Sequence, residues 1–551
     1  MQTQSTSGPV SGTAANPYLS TLWQQAEKNF EAGEHDAAEG ICLQLIGLAP
    51  ERPMPYALLS KLCLLKGQVR PATSNALLAS QRVAGARWQD IITISSTLRE
   101  VGEHQLAHEV LSFIDPRAPA NRDGLLDVGR QYSALGDQPR ALHCIDLARS
   151  SGDDRRISNH APDAAVGVAD QVDRAIESCG DGGRHNKKFG HTHLLLAQLG
   201  LKDGAEGRIE HIRNALNAPD LDSDDVACMQ YALFKELDVL DRIDEAWPAL
   251  MEGAKMRRSV TEYNAEKENR AFDALMRTAS ARFLDRCGVV STDVIPIFIV
   301  GMPRAGTASM ARILANHPQI ATGGERNDFR QQMQWVNNVR LPAEPDGNFG
   351  NFVAYVNYSV LGRRYLEKTR WLTEGKAFFT DSQPMNFMLC GPIMRALPHA
   401  KIIHLRRHPM GSCFSALTQL FGHGRYPYSY ALEELANHYR NFDRLMRHWH
   451  DIAPGRILDV RYEDLLAQPE LQAMRVQKYL GLSGIVGITA IPANQAAATA
   501  SNGLLPSQIS RNRKADGWRR YQRELAPLLA LLSEQTDAYE AAGKALLRSR
   551  L

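Results

Sequence analysis

A forked cation, a glycine and two hydroxyls fall within the six residues Arg304-Ala305-Gly306-Thr307-Ala308-Ser309. These types suit an oxyanion. Arg304 carries a planar guanidinium that cannot lose its proton. Gly306 lets the backbone come close to a bulky anion. The element before them, Val294 to Val300, is apolar and β-branched, which reads as a strand buried in a parallel sheet. After them, Met310, Ile313 and Leu314 fall at helical spacing. Strand, loop and helix start make an anion cradle, because unpaired backbone N–H groups and the positive end of the helix dipole point into the loop. A strand-loop-helix unit with no ligand has the same local pattern.

Gly301 and Gly306 have the spacing of a Walker A loop, but Thr307 holds the lysine position. A nucleotide kinase or triphosphatase would lack its main phosphate-reading charge there. The loop instead resembles the 5′-phosphosulfate loop of the sulfotransferases, P-R-S-G-T-T, here Pro303-Arg304-Ala305-Gly306-Thr307-Ala308. His317-Pro318 and Gly323-Gly324-Glu325 resemble its continuation in the bacterial and tyrosylprotein branches. Asp381-Ser382-Gln383-Pro384-Met385-Asn386-Phe387 resembles D-K-x-P-x-N-F, with Ser382 at the lysine and Lys376 six residues earlier. Arg407-His408-Pro409, with Ser415 eight residues past the arginine, resembles the 3′-phosphate site, with His408 replacing an aspartate. Arg406 reads either as a second phosphate contact or as a surface charge. Tyr462-Glu463-Asp464-Leu465 resembles Y-E-D-L. Gly517-Trp518-Arg519-Arg520-Tyr521 resembles the end of a basic loop that closes over the nucleotide, with Gly517 where a basic residue usually stands.

The resemblance covers about residues 294–530 and implies the following. The donor is 3′-phosphoadenosine-5′-phosphosulfate (PAPS), and the acceptor is a hydroxyl of a tyrosine, another phenol or an alcohol. Glu325 is the candidate base and Arg304 the candidate stabiliser of the leaving phosphate. The amides from Ala305 through Gly306, Thr307 and Ala308 to Ser309 hold the 5′ end. Arg407 and Ser415 read the 3′-phosphate, for which a fixed fork and a hydroxyl at a helix start are suited. Tyr462 lies near the adenosine, and Arg513 and Lys514 stand in for the basic closing loop. No metal is expected. A carboxylate base matches a phenol, with pKa near about 10, better than an alcohol. Ala305, Ala308, Ser382 and Gly517 depart from the family pattern. They keep open a decayed fold serving as a repeat-based protein-binding scaffold.

The N-terminal half repeats. Gly33, Gly67, Gly102 and Gly136 are spaced by 34, 35 and 34 residues, and five residues after each comes Ala38, Ala72, Ala107 or Ala141. The period resembles the tetratricopeptide repeat, two antiparallel helices per unit, with the glycine in the turn and the alanine at a close helix contact. Such arrays present a concave groove that suits an extended peptide or a partner helix. The pattern breaks over 150–190, where His185, His191 and His193 gather. No carboxylate or cysteine stands at a ligand spacing from them, so they read as a polar insertion.

The expected organisation is a flexible tail over 1–16, an α-helical tetratricopeptide-type domain over 17–288, and an α/β domain over 289–551 with a parallel sheet and a P-loop-like phosphosulfate loop. A chain of 551 residues exceeds one ordinary core. A net charge of +2 argues against general affinity for nucleic acid. The eight cysteines form no C-x-x-C pair, which suits reduced thiols in a cytoplasmic protein. No apolar run approaches the roughly 20 residues of a membrane span.

Overall fold

The computed structural model describes residues 17–115, 122–150, 189–198, 200–219, 221–285, 292–342, 346–422, 424–482 and 516–548. It opens with helices paired in sequence: α1 (Pro17–Glu31) with α2 (His35–Leu48), α3 (Met54–Leu65) with α4 (Val69–Ser80), α5 (Trp88–Glu100) with α6 (His104–Leu111), and α7 (Arg122–Ala134) with α8 (Gln138–Ser150). Each pair turns on one of the four periodic glycines, all left-handed, with φ of 78° at Gly33, 75° at Gly67, 80° at Gly102 and 86° at Gly136. A residue with a Cβ is strained at such an angle. The periodic alanines are buried in the second helix of each pair. One reason is visible twice: Ser60 Oγ donates to Ala72 O at 2.8 Å, and one period later Ser95 Oγ donates to Ala107 O at 2.8 Å. A larger side chain at the alanine would hold the two helices too far apart for that bond.

Contacts divide the chain into two compact units, one up to residue 118 together with 338–340, the other comprising 119–337 and 341–551. The division does not fall at 288. Helices α7 and α8 belong to the second unit, as do α9 (Phe189–Gln198), α10 (Ala205–Leu216), α11 (Ser223–Val239), α12 (Ile243–Ser259) and α13 (Ala265–Thr278). The physical reason lies in α11 and α12. Tyr231 and Arg257, both buried, donate to the carbonyls of Leu417 at 3.0 Å and Phe421 at 2.8 Å, and Arg258 pairs with Glu434 at 2.7 Å. One apolar core runs from Leu194 through the sheet to Leu532.

The sheet has five strands, β1 (Ile295–Gly301), β2 (Ile320–Thr322), β3 (Phe378–Asp381), β4 (Lys401–Arg406) and β5 (Ile457–Arg461), in the order β2-β3-β1-β4-β5. Every ladder is parallel, with Phe298 opposite Asp381 and Ile402, and His404 opposite Asp459. Six of the seven residues of β1 are buried, as a central strand covered on both faces requires. The chain returns to one side of β1 with β3 and to the other with β4. That reversal opens a crevice at the C-terminal ends of these strands, where open α/β sheets take their ligands.

Candidate active site

Parallel strands send every following loop to one edge of the sheet. Arg304 follows β1, Glu325 follows β2, Ser382 follows β3, Arg407 follows β4 and Tyr462 follows β5. The fold thus gathers at one edge residues spread over about 160 positions of sequence.

The β1 loop feeds α14 (Thr307–Ala315) through Gly306, which is left-handed at φ 105°. Arg304 also takes a positive φ, 69°, a costly conformation for a residue with a side chain. Ala305 N–H donates to Met302 O at 3.0 Å and Ser309 N–H to Gly306 O at 3.0 Å. The loop's own geometry therefore occupies the two outer amides of the expected set. Thr307 and Ala308, at the helix start, have amides with no acceptor in a preceding turn. Arg407 reaches back to this loop: its Nη1 donates to Arg304 O at 2.9 Å, and its guanidinium lies 5.0 Å from the centre of the Tyr462 ring. That ring also approaches Gly306, where a Cβ would stand 2.4 Å from Tyr462 Cδ2. Loop, guanidinium and phenol ring thus lie against one another and form one wall. Gly306→Ala should therefore cost about 1–3 kcal/mol of stability through strain and overpacking. A thermal melt beside wild type measures it, and an unchanged midpoint would show that the ring simply swings aside.

Residues 409–417 form α16 (Pro409–Leu417), which carries Ser415 in its second turn, half-buried. His408 precedes it, stacked on Trp518 with ring centres 5.0 Å apart. His408 is the N-cap of this helix and makes no side-chain cap bond, while its backbone N–H donates to Glu463 Oε1 at 3.0 Å. Glu463 lies in the first turn of α17 (Tyr462–Ala467) and also accepts from Tyr539 Oη. Arg406 is held by Asp459 at 3.3 Å and faces the Tyr539 ring. Burial pushes the imidazoles of His404 and His408 below their ordinary range, and both pair with carboxylates inside the fold, with Asp459 and Glu540.

Glu325 is half-buried in the loop between β2 and α15 (Asp328–Asn337). That loop is stitched to the end of β3. Gly323 N–H donates to Thr380 O at 2.8 Å, Ser382 N–H to Gly324 O at 2.9 Å, and Gln383 Nε2 to Asn327 Oδ1 at 3.0 Å. Beneath it Arg326 pairs with Asp328 at 2.6 Å, both buried. Asp381 accepts from Tyr365 Oη at 3.1 Å and Asn386 Nδ2 at 3.1 Å. Burial, reinforced by the charge of Asp328, pushes the Asp381 carboxyl up to about 7.

Residues 296–485 match the model of the sulfotransferase family. That stretch of the chain is similar to the sulfotransferase family. A protein of Aquifex aeolicus (strain VF5) with no assigned function is 24% identical over 353 residues, 62% of this chain and 46% of that protein. A Caenorhabditis briggsae protein, named as a candidate protein-tyrosine sulfotransferase, is 24% identical over 197 residues, 34% of this chain and 65% of that protein. The chain thus spans less than two thirds of the length of either relative. Mouse sulfotransferase SULT7A1, solved with PAP, is 14% identical, with 48% of this chain and 93% of that chain covered at a TM-score of 0.29.

Two open points of the sequence close in the folded chain. Lys376 does not reach Ser382. Its Nζ lies 3.4 Å from Ile320 O and 3.4 Å from Glu374, before the first residue of β3, while buried Ser382 follows the last. The Trp-Arg-Arg-Tyr segment turns toward the helices: Arg520 pairs with Asp238 and Asp241, and Tyr521 Oη donates to Asp238 at 2.7 Å. Arg513 and Lys514 lie outside the described residues.

One residue escaped the sequence reading. Tyr426, left-handed at φ 51° and buried against Phe421, is pushed above the ordinary phenol range by burial and then by the charge of Glu325. Nothing in the sequence around it marks the site, since its approach to Glu325 is purely tertiary.

Proposed function

We propose that the chain transfers a sulfuryl group from PAPS to a hydroxyl, with a phenol such as tyrosine the preferred acceptor. The observation that carries this reading is the wall formed by the Arg304–Thr307 loop, Arg407 and Tyr462. Arg407, held at the Arg304 carbonyl, brings a fixed guanidinium fork that suits a 3′-phosphate. The Tyr462 ring provides a flat surface for adenosine. Arg304 and the amides of Thr307 and Ala308 face the 5′ end, where negative charge grows as the donor breaks. Glu325 takes the acceptor's proton while the acceptor oxygen bonds to sulfur. The bond from sulfur to the 5′-phosphate oxygen breaks, and its electron pair stays on that oxygen. The tyrosylprotein name of the Caenorhabditis briggsae relative supports a phenolic acceptor. No described helix is long and apolar enough to cross a membrane. The described cysteines are all free thiols, which supports a reducing, cytoplasmic setting. The helical hairpins act as tetratricopeptide-type repeats whose groove takes a peptide or a protein partner.

Buried Ser382 and the distant Lys376 favour a second reading, a scaffold that no longer turns over, because the family's lysine charge is not replaced by either. Incubation with radiolabelled donor and a panel of phenols separates the two. Transfer of label supports the enzyme, and its absence supports the scaffold.

Donor recognition has its own test. The 3′,5′-bisphosphate of adenosine should bind far more tightly than 5′-AMP, and Arg407→Ala should weaken it by about 1.5–3 kcal/mol through loss of a charge-assisted contact. Calorimetry decides the matter, and equal affinity for the two nucleotides would remove Arg407 from the role.

A further inference from the structure

We propose that His191, Asp224 and Cys228 form a divalent-metal site of the zinc class, in the helical part of the second unit and separate from the sulfotransferase wall. Asp224 and Cys228 stand four residues apart on α11, on one face. Helix α9 brings His191 to that face. Cys228 Sγ lies 3.5 Å from His191 Nδ1 and 3.8 Å from its Nε2. One ligand atom from each of the three residues falls within 4.8 Å of the others. A tetrahedral zinc, with bonds of about 2.3 Å to sulfur and about 2.0 Å to nitrogen, sets those two atoms about 3.5 Å apart. The sulfur and nitrogen already stand at that edge length, and the carboxylate needs only a side-chain adjustment to close the third side. Water completes the fourth position.

The surroundings hold this arrangement in place. Gly190, directly before His191, lies so close to α11 that a Cβ there would stand 2.6 Å from Asp225 O. Its N–H donates to Asp225 Oδ1 at 3.1 Å. The start of α9 is thereby locked to the first turn of α11. Arg257 donates to Asp224 Oδ1 at 2.5 Å and to Phe421 O at 2.8 Å. A carboxylate has two oxygens, so Asp224 can accept from Arg257 and ligate at once, and an outer partner of this kind orients a metal ligand. Thiolate and carboxylate supply two negative charges against the two of the ion and the one of Arg257, and the thiol proton leaves to solvent on ligation. Thiolate, imidazole and carboxylate form a borderline-soft set that suits zinc or cobalt(II) over magnesium or calcium. Cys228 is fully buried while His191 and Asp224 are half-buried, which gives the ion a polar way in. A metal here would pin α9 to α11 just after the insertion over 150–190.

The test uses the full chain, stripped with a chelator and titrated with cobalt(II). One equivalent should raise a thiolate-to-cobalt charge-transfer band and tetrahedral visible bands, and zinc should displace both. Cys228→Ser should abolish the thiolate band. His191→Ala should weaken cobalt binding by more than about tenfold. Because Cys228→Ser alters a buried position, Asp224→Asn is titrated beside it, with circular dichroism confirming helicity, and should weaken binding similarly. Zinc should raise the melting temperature of wild type and leave that of the Asp224→Asn chain unmoved. The absence of a thiolate band in wild type, or its persistence in well-folded Cys228→Ser, would overturn the proposal.

Discussion

Glu325→Gln should lower turnover by about 10²–10⁴ while leaving the affinity for the adenosine bisphosphate unchanged. The substitution keeps the shape of the side chain and removes its proton acceptor. The residues proposed to hold the donor lie on the β1, β4 and β5 loops, whereas Glu325 lies on the β2 loop, so the proposed binding and proton removal are physically separable in this fold. The loop bearing Glu325 is fixed before it by Gly323 N–H to Thr380 O and Ser382 N–H to Gly324 O, and after it by Gln383 Nε2 to Asn327 Oδ1, so the variant should not collapse. The alternative role, a favourable charge at the start of α15, is worth only about 0.3–1 kcal/mol. In the structure Asp328 opens that helix and is paired with Arg326. Single-turnover transfer and calorimetry on the same preparation decide between the roles. A Gln variant that melts lower but turns over at the wild-type rate would make Glu325 structural. His404 and His408 are poorly placed to replace it, since each is buried beside a carboxylate within the fold.

The second large effect concerns stability. Asp459 on β5 accepts at one oxygen from His404 Nδ1 and from His450 Nε2, each at 2.9 Å, and pairs with Arg406 at its other oxygen. Burial acts to raise its carboxyl, but the two imidazoles outweigh burial and hold it well below the usual carboxylate range. Burial holds the His404 imidazole below its ordinary range. The hydrogen bond to Asp459 raises the imidazole of His450. Asp459→Ala removes three charge-assisted partners at once and should destabilise the second unit by about 3–5 kcal/mol. The pH dependence has a defined sign on each side. A carboxyl lowered in the folded state contributes stability above its unfolded pKa of about 3.9, and that contribution is lost as pH falls. An imidazole raised in the folded state contributes below its unfolded pKa of about 6.5, and that contribution is lost as pH rises through the folded value. Wild type should therefore be most stable relative to Asp459→Ala between about pH 4 and 6.5. Denaturant melts across that range test this, and a difference independent of pH would show that packing, not charge, sets the cost.

The sequence by itself determined the local elements. The buried run of β1, the glycine-bearing loop and the helix after it were legible because strand periodicity, glycine and helical spacing are properties of consecutive residues. The four helix turns at Gly33, Gly67, Gly102 and Gly136 were legible for the same reason, since a left-handed turn leaves its mark at one position. The order of the sulfotransferase motifs was also legible, and the parallel sheet follows from it. What tertiary structure alone decided is distance. Only the folded chain shows Arg407 reaching the Arg304 carbonyl, Glu463 accepting from the backbone N–H of His408, and Lys376 standing at the wrong end of β3 to serve Ser382. The same holds for the division into units, because α11 and α12 bury polar anchors against residues some 160 to 190 positions away. It holds most clearly for His191. Its sequence neighbourhood contains no carboxylate or thiol at a ligand spacing, yet α11 returns Asp224 and Cys228 to it across 33 and 37 residues. A spacing rule sees ligands within a turn or two, whereas helix packing brings together side chains whose separation along the chain carries no signal.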